Sequence, residues 1–483
     1  MNELLKNDLA QLDILLDKVK LQGLEYLKKI EHRHTSNKNT IQQNHILNEH
    51  GVGTIEALQQ FNRRFEPIIV STSGPRYWGF VVGGTTPASI VGDWLTSIYD
   101  QNPFATKGQG DISALIELET IQLLLKLFEL PSDYIGGFLT GATMSNFTCL
   151  AVARQWIGKE SGKDFGKDGV SGNIKILTGT PHSSSLKSLS MLGIGSNNFS
   201  SVKLEKGNRE SIDITDLEEK IRQLNEEPFI LISSAGTVNT VDFDNLKAIA
   251  DLKEKYNFWW HIDAAFGAFA VCLDSHKHLL SGWEIADSIT VDCHKWLNVP
   301  YESAVFFVKQ KHCHLQVETF QNSNAPYLGD PLENFNYLNL LPENSRRLKA
   351  LPVWFSLIAY GKDGIRNIVN NNIHIAQKFG EFINGSNLFE LLAPARLNTV
   401  CFTLKGEKNQ EKVHSFLTQL KDTGQVFMTP TVYNGKKGIR AAFVNWRTTE
   451  KDLQIATELM NKIMSTPEIP DANKNINELS NNR

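Results

Sequence analysis

The chain has 483 residues, 41% of them apolar and 21% charged, a balance that excludes whole-chain disorder and collagen-like or low-complexity architecture. Lys plus Arg (49) against Asp plus Glu (53) gives a net charge of −4, with no dense run of one sign to suggest a nucleic-acid groove or a polybasic membrane anchor. A small-molecule partner is expected, with no nucleic acid and no membrane.

The opening MNELLKNDLAQL does not read as a signal peptide. No stretch approaches the ~18 apolar residues of a membrane span. Cys149, Cys272, Cys293, Cys313 and Cys401 are too scattered for a disulfide framework, which points to a reducing, cytoplasmic setting. His312-Cys313-His314 lacks further ligands at the spacing of a structural zinc, and no metal is expected.

In chain order, Leu4, Leu5, Leu9, Leu12, Leu15 and Leu16 recur with helical period and predict an amphipathic helix able to cover a partner subunit. Residues 1–75 are read as this N-terminal helical segment. A polar connection from Ser36 to Asn48 leads to SGPRYWGFVVGGTTPAS, whose glycines allow close backbone approach. A helix is predicted from Ile112 to Glu129, stopped by Pro131.

Apolar runs at Ile174 to Leu177, Phe229 to Ile232, Phe258 to Ile262, Ser288 to Val291 and Ala304 to Val308 then alternate with helical patterns. This predicts an α/β fold with a large, mostly parallel sheet, whose ligands sit at the carboxyl ends of the strands. Residues 76–345 form that large domain, and its Asn-, Pro- and Gly-rich stretch at about 321–345 is a candidate mobile lid. A smaller α/β unit follows over 346–466, with strands at Thr399 to Leu404 and Ile439 to Val444, and 467–483 reads as a disordered tail.

Chemistry concentrates where the strands end. In VDCHKWL, His294 and Lys295 directly follow a buried strand. A lysine there either reaches solvent or, with its amine made nucleophilic by burial, forms a Schiff base. In WWHIDAAFGA, Asp263 ends the preceding strand and either caps the next helix or partners a cation; beside such a lysine, it suits a pyridinium nitrogen that pyridoxal phosphate must keep protonated. In LTGATMSN, Gly141, Ala142 and Thr143 open a helix whose free N–H groups make an anion site, although a plain N-cap would look alike. His182, in PHSSS, is either a surface histidine or a ring stacked on a flat cofactor, and Thr237, in SAGT, either a turn hydroxyl or a cofactor ligand.

These motifs, with NAPYLGD and RRLKALPVWFSLIAYG, resemble in order and spacing those of the group II pyridoxal-phosphate-dependent amino-acid decarboxylases, from about residue 70 to 460. The resemblance implies the fold type I (aspartate-aminotransferase-like) architecture, with a large pyridoxal-phosphate-binding domain, a small C-terminal domain, and a homodimer that shares its active sites. It also implies Lys295 as the Schiff-base lysine, Asp263 as the partner of the pyridine nitrogen and His182 as the stacked imidazole. Ala142, Thr143 and His294 would hold the phosphate of pyridoxal 5'-phosphate, and Thr237 and Ala265 would line the ring. Tyr327 resembles the lid tyrosine that supports protonation of the carbanion and so favours an amine; relatives with phenylalanine there tend to make aldehydes oxidatively. Asp292 departs from the asparagine of the aromatic-specific members, so a carboxylate near a phosphate must be turned away or compensated.

The stretch Phe80, Val81 and Val82 is expected to face the substrate. It lacks the amide and hydroxyl groups that bind a distal carboxylate in the glutamate-specific members, so a bulky apolar or aromatic L-amino acid is the expected substrate. Arg440 is open between a substrate contact and a structural role. An aldehyde-forming oxidative deaminase or a carbon–carbon lyase on the same scaffold, an acidic-amino-acid decarboxylase and a non-catalytic cofactor-binding dimer are the alternatives.

Overall fold

The computed structural model describes residues 1–107, 111–321, 332, 335–406 and 411–465. The N-terminus forms helix α1 (Glu3–Ala10), capped by the Asn2 side chain, and helix α2 (Leu12–Lys28). Between them only Leu15 is buried, so their apolar positions are left on the surface.

The large sheet contains β1 (Tyr134–Leu139), β2 (Lys175–Thr178), β3 (Ser200–Ser201), β4 (Phe229–Ser234), β5 (Trp259–Asp263), β6 (Ser288–Asp292) and β7 (Ala304–Lys309). Their order is β1-β7-β6-β5-β4-β2-β3, parallel except for β7, which runs antiparallel to both of its neighbours. Side chains alternate between two cores: Leu231, Trp260 and Ile262 face one, while Ile230, Ile232 and Trp259 face the other. Burial on both faces is why these strands read as continuous apolar runs.

The small sheet, β8 (Phe389–Leu391), β9 (Thr399–Leu404), β10 (Thr429–Tyr433) and β11 (Lys436–Ala442), is antiparallel in the order β10-β11-β9-β8. The helix Ala350–Gly385 joins the two units and bends at Gly361, whose φ of 59° lies in the left-handed region that glycine enters freely.

Three boundaries differ from the sequence expectation. Trp78 belongs to the small-domain core, because its backbone bonds to Phe427 and Ala442 draw residues 76–79 out of the large domain. The domain boundary at 346 also moves, since the joining helix contributes Leu351, Val369 and Ile373 to the large core and only from Ile375 onward to the small one. Finally, Phe335, Tyr337, Leu340 and Leu341 are buried, so this end of the stretch assigned to a lid is core. Residues 322–331, with Tyr327, and residues 333–334 lie outside the described residues, as does the 467–483 tail.

Candidate active site

Because β1, β2, β4, β5 and β6 point the same way, their carboxyl ends converge on one edge of the sheet. That edge receives Gly141 to Thr143 after β1, His182 after β2, Thr237 after β4, Asp263 and Ala265 at the end of β5, and Asp292, His294 and Lys295 at the end of β6. The expected residues therefore come from five segments to one place, as the crevice rule for open α/β sheets requires.

Lys295 stands on a single helical turn, Cys293–Trp296, and its Nζ lies 2.8 Å from Asp292 Oδ2. The ammonium is 5.6 Å from the centre of the Phe266 ring. Asp292 is buried, and its Oδ1 accepts from Ala142 N at 2.7 Å, the opening of the helix Ala142–Glu160. The carboxylate is thus compensated by an ammonium and a helix N-terminus together. His294 Nε2 lies 3.7 Å from Asp292 Oδ2, and Nδ1 donates to Ser303 O at 2.9 Å. Burial lowers the His294 pKa, against the pull of Asp292. The backbone of YWGFVVGG passes directly beneath: a Cβ at Gly83 would lie 1.7 Å from Lys295 O, so only glycine fits.

Asp263 is held from below. Its Oδ2 accepts from Asn146 Nδ2 at 3.0 Å and from Ser185 Oγ at 3.4 Å, and its Oδ1 from Ala265 N at 3.2 Å. With Asn146 Nδ2 so committed, Asn146 Oδ1 accepts from His261 Nε2 at 2.9 Å, and His261 Nδ1 then accepts from Ser288 Oγ at 2.9 Å. Asn146, His261 and Ser185 were not singled out from the sequence. Strand alternation places His261 on the same face as Asp263, and four-residue spacing places Asn146 one turn after Ala142, so period arguments alone reach both.

His182 caps the helix Ser183–Met191 with its own ring, Nδ1 accepting from Ser184 N at 3.2 Å, which leaves the proton on Nε2 in the neutral form. The ring is open to the site yet surrounded by protein, and that desolvation lowers its pKa; Asp263 raises it, while Lys295 and Arg440 lower it. Thr237 differs from expectation, since its hydroxyl donates to Glu210 Oε2 at 2.5 Å and accepts from Asp242 N at 3.0 Å, which ties it into its own turn. Arg440 donates from Nη1 to Val238 O at 3.1 Å, bracing the same turn.

The stretch expected to face the substrate divides. Phe80 is exposed and its ring lies 5.8 Å from Phe427, but Val81 and Val82 are buried, Val81 within the large core. Phe80 and Val81 take φ of 56° and 62°, a conformation costly for bulky and β-branched residues and common near functional sites. Tyr301, not anticipated, is exposed and lies 4.3 Å from the His294 ring; burial of its hydroxyl end raises its pKa to about 12.

The network beneath Asp263 has a pH signature. Burial depresses the His261 pKa from 6.5 to about 4, so the folded chain refuses a proton that the unfolded chain accepts between those values. This contribution to stability is fully present above pH 6.5 and is lost as pH falls towards 4. His261→Gln is expected to show a shallower decline of thermal midpoint over that window than the wild type, and equal slopes would contradict the assignment.

A primary amine, a carboxylate fixed by donors, an imidazole with an open face and a helix N-terminus form a donor set that fits pyridoxal phosphate: an aldehyde, a pyridine nitrogen, an aromatic ring and a phosphate. Comparison with known proteins agrees. Residues 44–405 match the family described as "Pyridoxal-dependent decarboxylase conserved domain". An aromatic-L-amino-acid decarboxylase of Bacillus atrophaeus is 27% identical over 435 residues, covering 87% of each chain. A phenylacetaldehyde synthase of Petunia hybrida is 27% identical over 403 residues, covering 78% of each. The fold matches that of Oryza sativa TDC, solved with PLP and tryptamine, with a TM-score of 0.86 at 20% identity, covering 94% of this chain and 98% of that one. The chain belongs to the pyridoxal-dependent decarboxylase family and is a pyridoxal-phosphate-dependent amino-acid decarboxylase of fold type I.

Proposed function

We propose that this enzyme converts a bulky apolar or aromatic L-amino acid into its amine and carbon dioxide, at a site carried by Lys295, Asp263 and His182. The observation that carries this reading is the convergence of Lys295, paired with Asp292 at 2.8 Å, and Asp263, held by Asn146 at 3.0 Å, on one sheet edge beside the open ring of His182. When bound, pyridoxal phosphate supplies a carbonyl that condenses with an amine and a pyridinium ring that accepts the electron pair left by departing carbon dioxide.

The chain's own residues do the rest. Lys295 would hold the cofactor's aldehyde through its amine, the primary amine at this strand end. Asp263, fixed from two sides by Asn146 and Ala265, keeps a proton on the pyridine nitrogen. His182, oriented by its bonds to Ser184, would offer its ring to stack against the cofactor. Thr143, on the first turn of the helix Ala142–Glu160, and His294 serve the phosphate together with Ala142, and Ala265 lines the ring. Tyr327 would support protonation at the substrate α-carbon, and a hydroxyl there favours the amine over the aldehyde.

The substrate reading rests on what surrounds Phe80. Its ring and that of Tyr77, which stacks on Phe427 at 4.6 Å, present apolar surface, and Gly79 to Val82 offer no polar side chain to a distal carboxylate. An acidic side chain buried there without a partner would lose several kcal/mol. A screen of the common amino acids for carbon dioxide release, with products weighed by mass, is expected to single out an aromatic or large apolar substrate with an amine product. Lys295→Ala is expected to abolish the long-wavelength cofactor band and to cut turnover by on the order of 10³-fold or more. Preference for glutamate, or an aldehyde formed with oxygen uptake, would overturn the reading.

We also propose that the active unit is a homodimer. The apolar faces left open by α2 and by the helix Pro87–Tyr99 meet in a groove of about 790 Å³ lined by Val19, Leu27, Phe61, Trp94 and Ile98. Trp94 and Ile98 are 44% and 60% exposed, large apolar side chains that a second copy of this chain would cover. Leu5 and Leu9 of α1 are exposed as well, which fits a second copy of this chain packing on the N-terminal helices. Trp94→Asp is expected to shift the protein from dimer to monomer in sedimentation analysis, and a wild type that sediments as a monomer would contradict the assignment.

A further inference from the structure

Asp292 occupies an unusual position for an acidic residue. It is 2% exposed, and its Oδ1 takes the N–H of Ala142 at 2.7 Å, the first donor of a 19-residue helix. Its Oδ2 lies 2.8 Å from Lys295 Nζ and 3.7 Å from His294 Nε2. Every group it contacts is one that the reading above assigns to the cofactor: the helix start and His294 to the phosphate, Lys295 to the aldehyde. A phosphate docking at this helix start shares the Ala142 donor with a carboxylate already on it and meets that carboxylate's charge where little water screens the repulsion.

An asparagine has the same shape with a different effect. Its carbonyl oxygen accepts from Ala142 N as Asp292 Oδ1 does, while its amide offers a donor where Asp292 Oδ2 presents charge. The difference between the two residues therefore falls on the groups around Oδ2, Lys295 and the phosphate when bound, and not on the fold.

We propose that Asp292 opposes the phosphate of the cofactor and so sets how tightly this enzyme retains pyridoxal phosphate, making it a loosely holding, readily exchanging member of its fold. The inference rests on the assignment of Ala142 and His294 to the phosphate. It concerns selectivity between cofactor forms: Asp292 narrows the advantage of pyridoxal phosphate over pyridoxal, which has the same aldehyde and ring but no phosphate.

The test is an absorbance titration of the cofactor-free full-length protein with pyridoxal 5'-phosphate and, separately, with pyridoxal, in the wild type and in Asp292→Asn. Any effect of Asp292 on Lys295 enters both titrations equally, so the ratio of the two affinities isolates the phosphate. The ratio is expected to rise in Asp292→Asn, in favour of the phosphorylated form, by on the order of tenfold or more. Asp292→Ser also removes the charge and carries the same expectation should Asp292→Asn not fold. A ratio that is unchanged or lower, with both compounds binding, overturns the proposal and leaves the cofactor site standing. Binding of pyridoxal 5'-phosphate alone by the wild type overturns the proposal and leaves the site standing, whereas failure of both compounds to form a long-wavelength band overturns the site assignment and the proposal with it.

Discussion

Parallel strands cannot be joined by a hairpin. Each must be followed by a crossover, and each crossover leaves its strand at the same edge of the sheet. That constraint governs everything else in this molecule. It gathers residues separated by more than a hundred positions, from Ala142 to Lys295, at one edge, and it puts their charged groups where apolar walls on both faces keep water scarce. Each charge there has to find a partner, and the partners are what shape the site. Asp292 takes Lys295 and the helix start, Asp263 takes Asn146 and Ala265, and His294 takes Ser303 O.

Two layers of order result. Lys295, Asp263 and His182 face the crevice, and behind them a chain of oriented bonds runs from Asp263 through Asn146, His261 and Ser288 to the Trp259 indole. Asn146 Nδ2 reaches Ser184 Oγ as well as Asp263, so the carboxylate is braced by a branched network rather than by a single bond. The turn that carries Lys295 is equally specific. Asn298, just beyond Lys295, donates to Val444 O at 2.9 Å and accepts from Trp446 N at 2.9 Å, so that turn is anchored to the segment following β11 as well as to the sheet.

Much of this was legible in the residues. Strands β4 to β7 appear as apolar runs because both faces are buried, and β9 matches its predicted span at Thr399 and Leu404. Strand β1 escaped notice because Gly136 and Gly137 interrupt its apolar run, and the structure gives their reason: a Cβ at Gly136 would lie 2.8 Å from Phe306 O, and one at Gly137 would lie 3.0 Å from the Tyr337 ring. Strand β10 lies at a sheet edge with alternate residues exposed, so its pattern is weak. The front of the site was visible because reactive residue types stand at strand ends. Its back was not, because Asn146 and Ser185 are unremarkable until a fold brings them beneath a carboxylate. Val81 and Thr237 show the opposite error, since a place in a functional segment says nothing of where a side chain turns, and theirs turn into the core and into a buried turn.

The reading of this site as a cofactor site depends on one atom, the Nζ of Lys295, as the group proposed to hold the cofactor. Borohydride reduction of the cofactor-loaded protein, followed by peptide mass mapping, tests it directly. The account predicts a single pyridoxyl modification, on the peptide that contains Lys295. Modification of a different lysine, or none on a protein that carries the cofactor band, would contradict it.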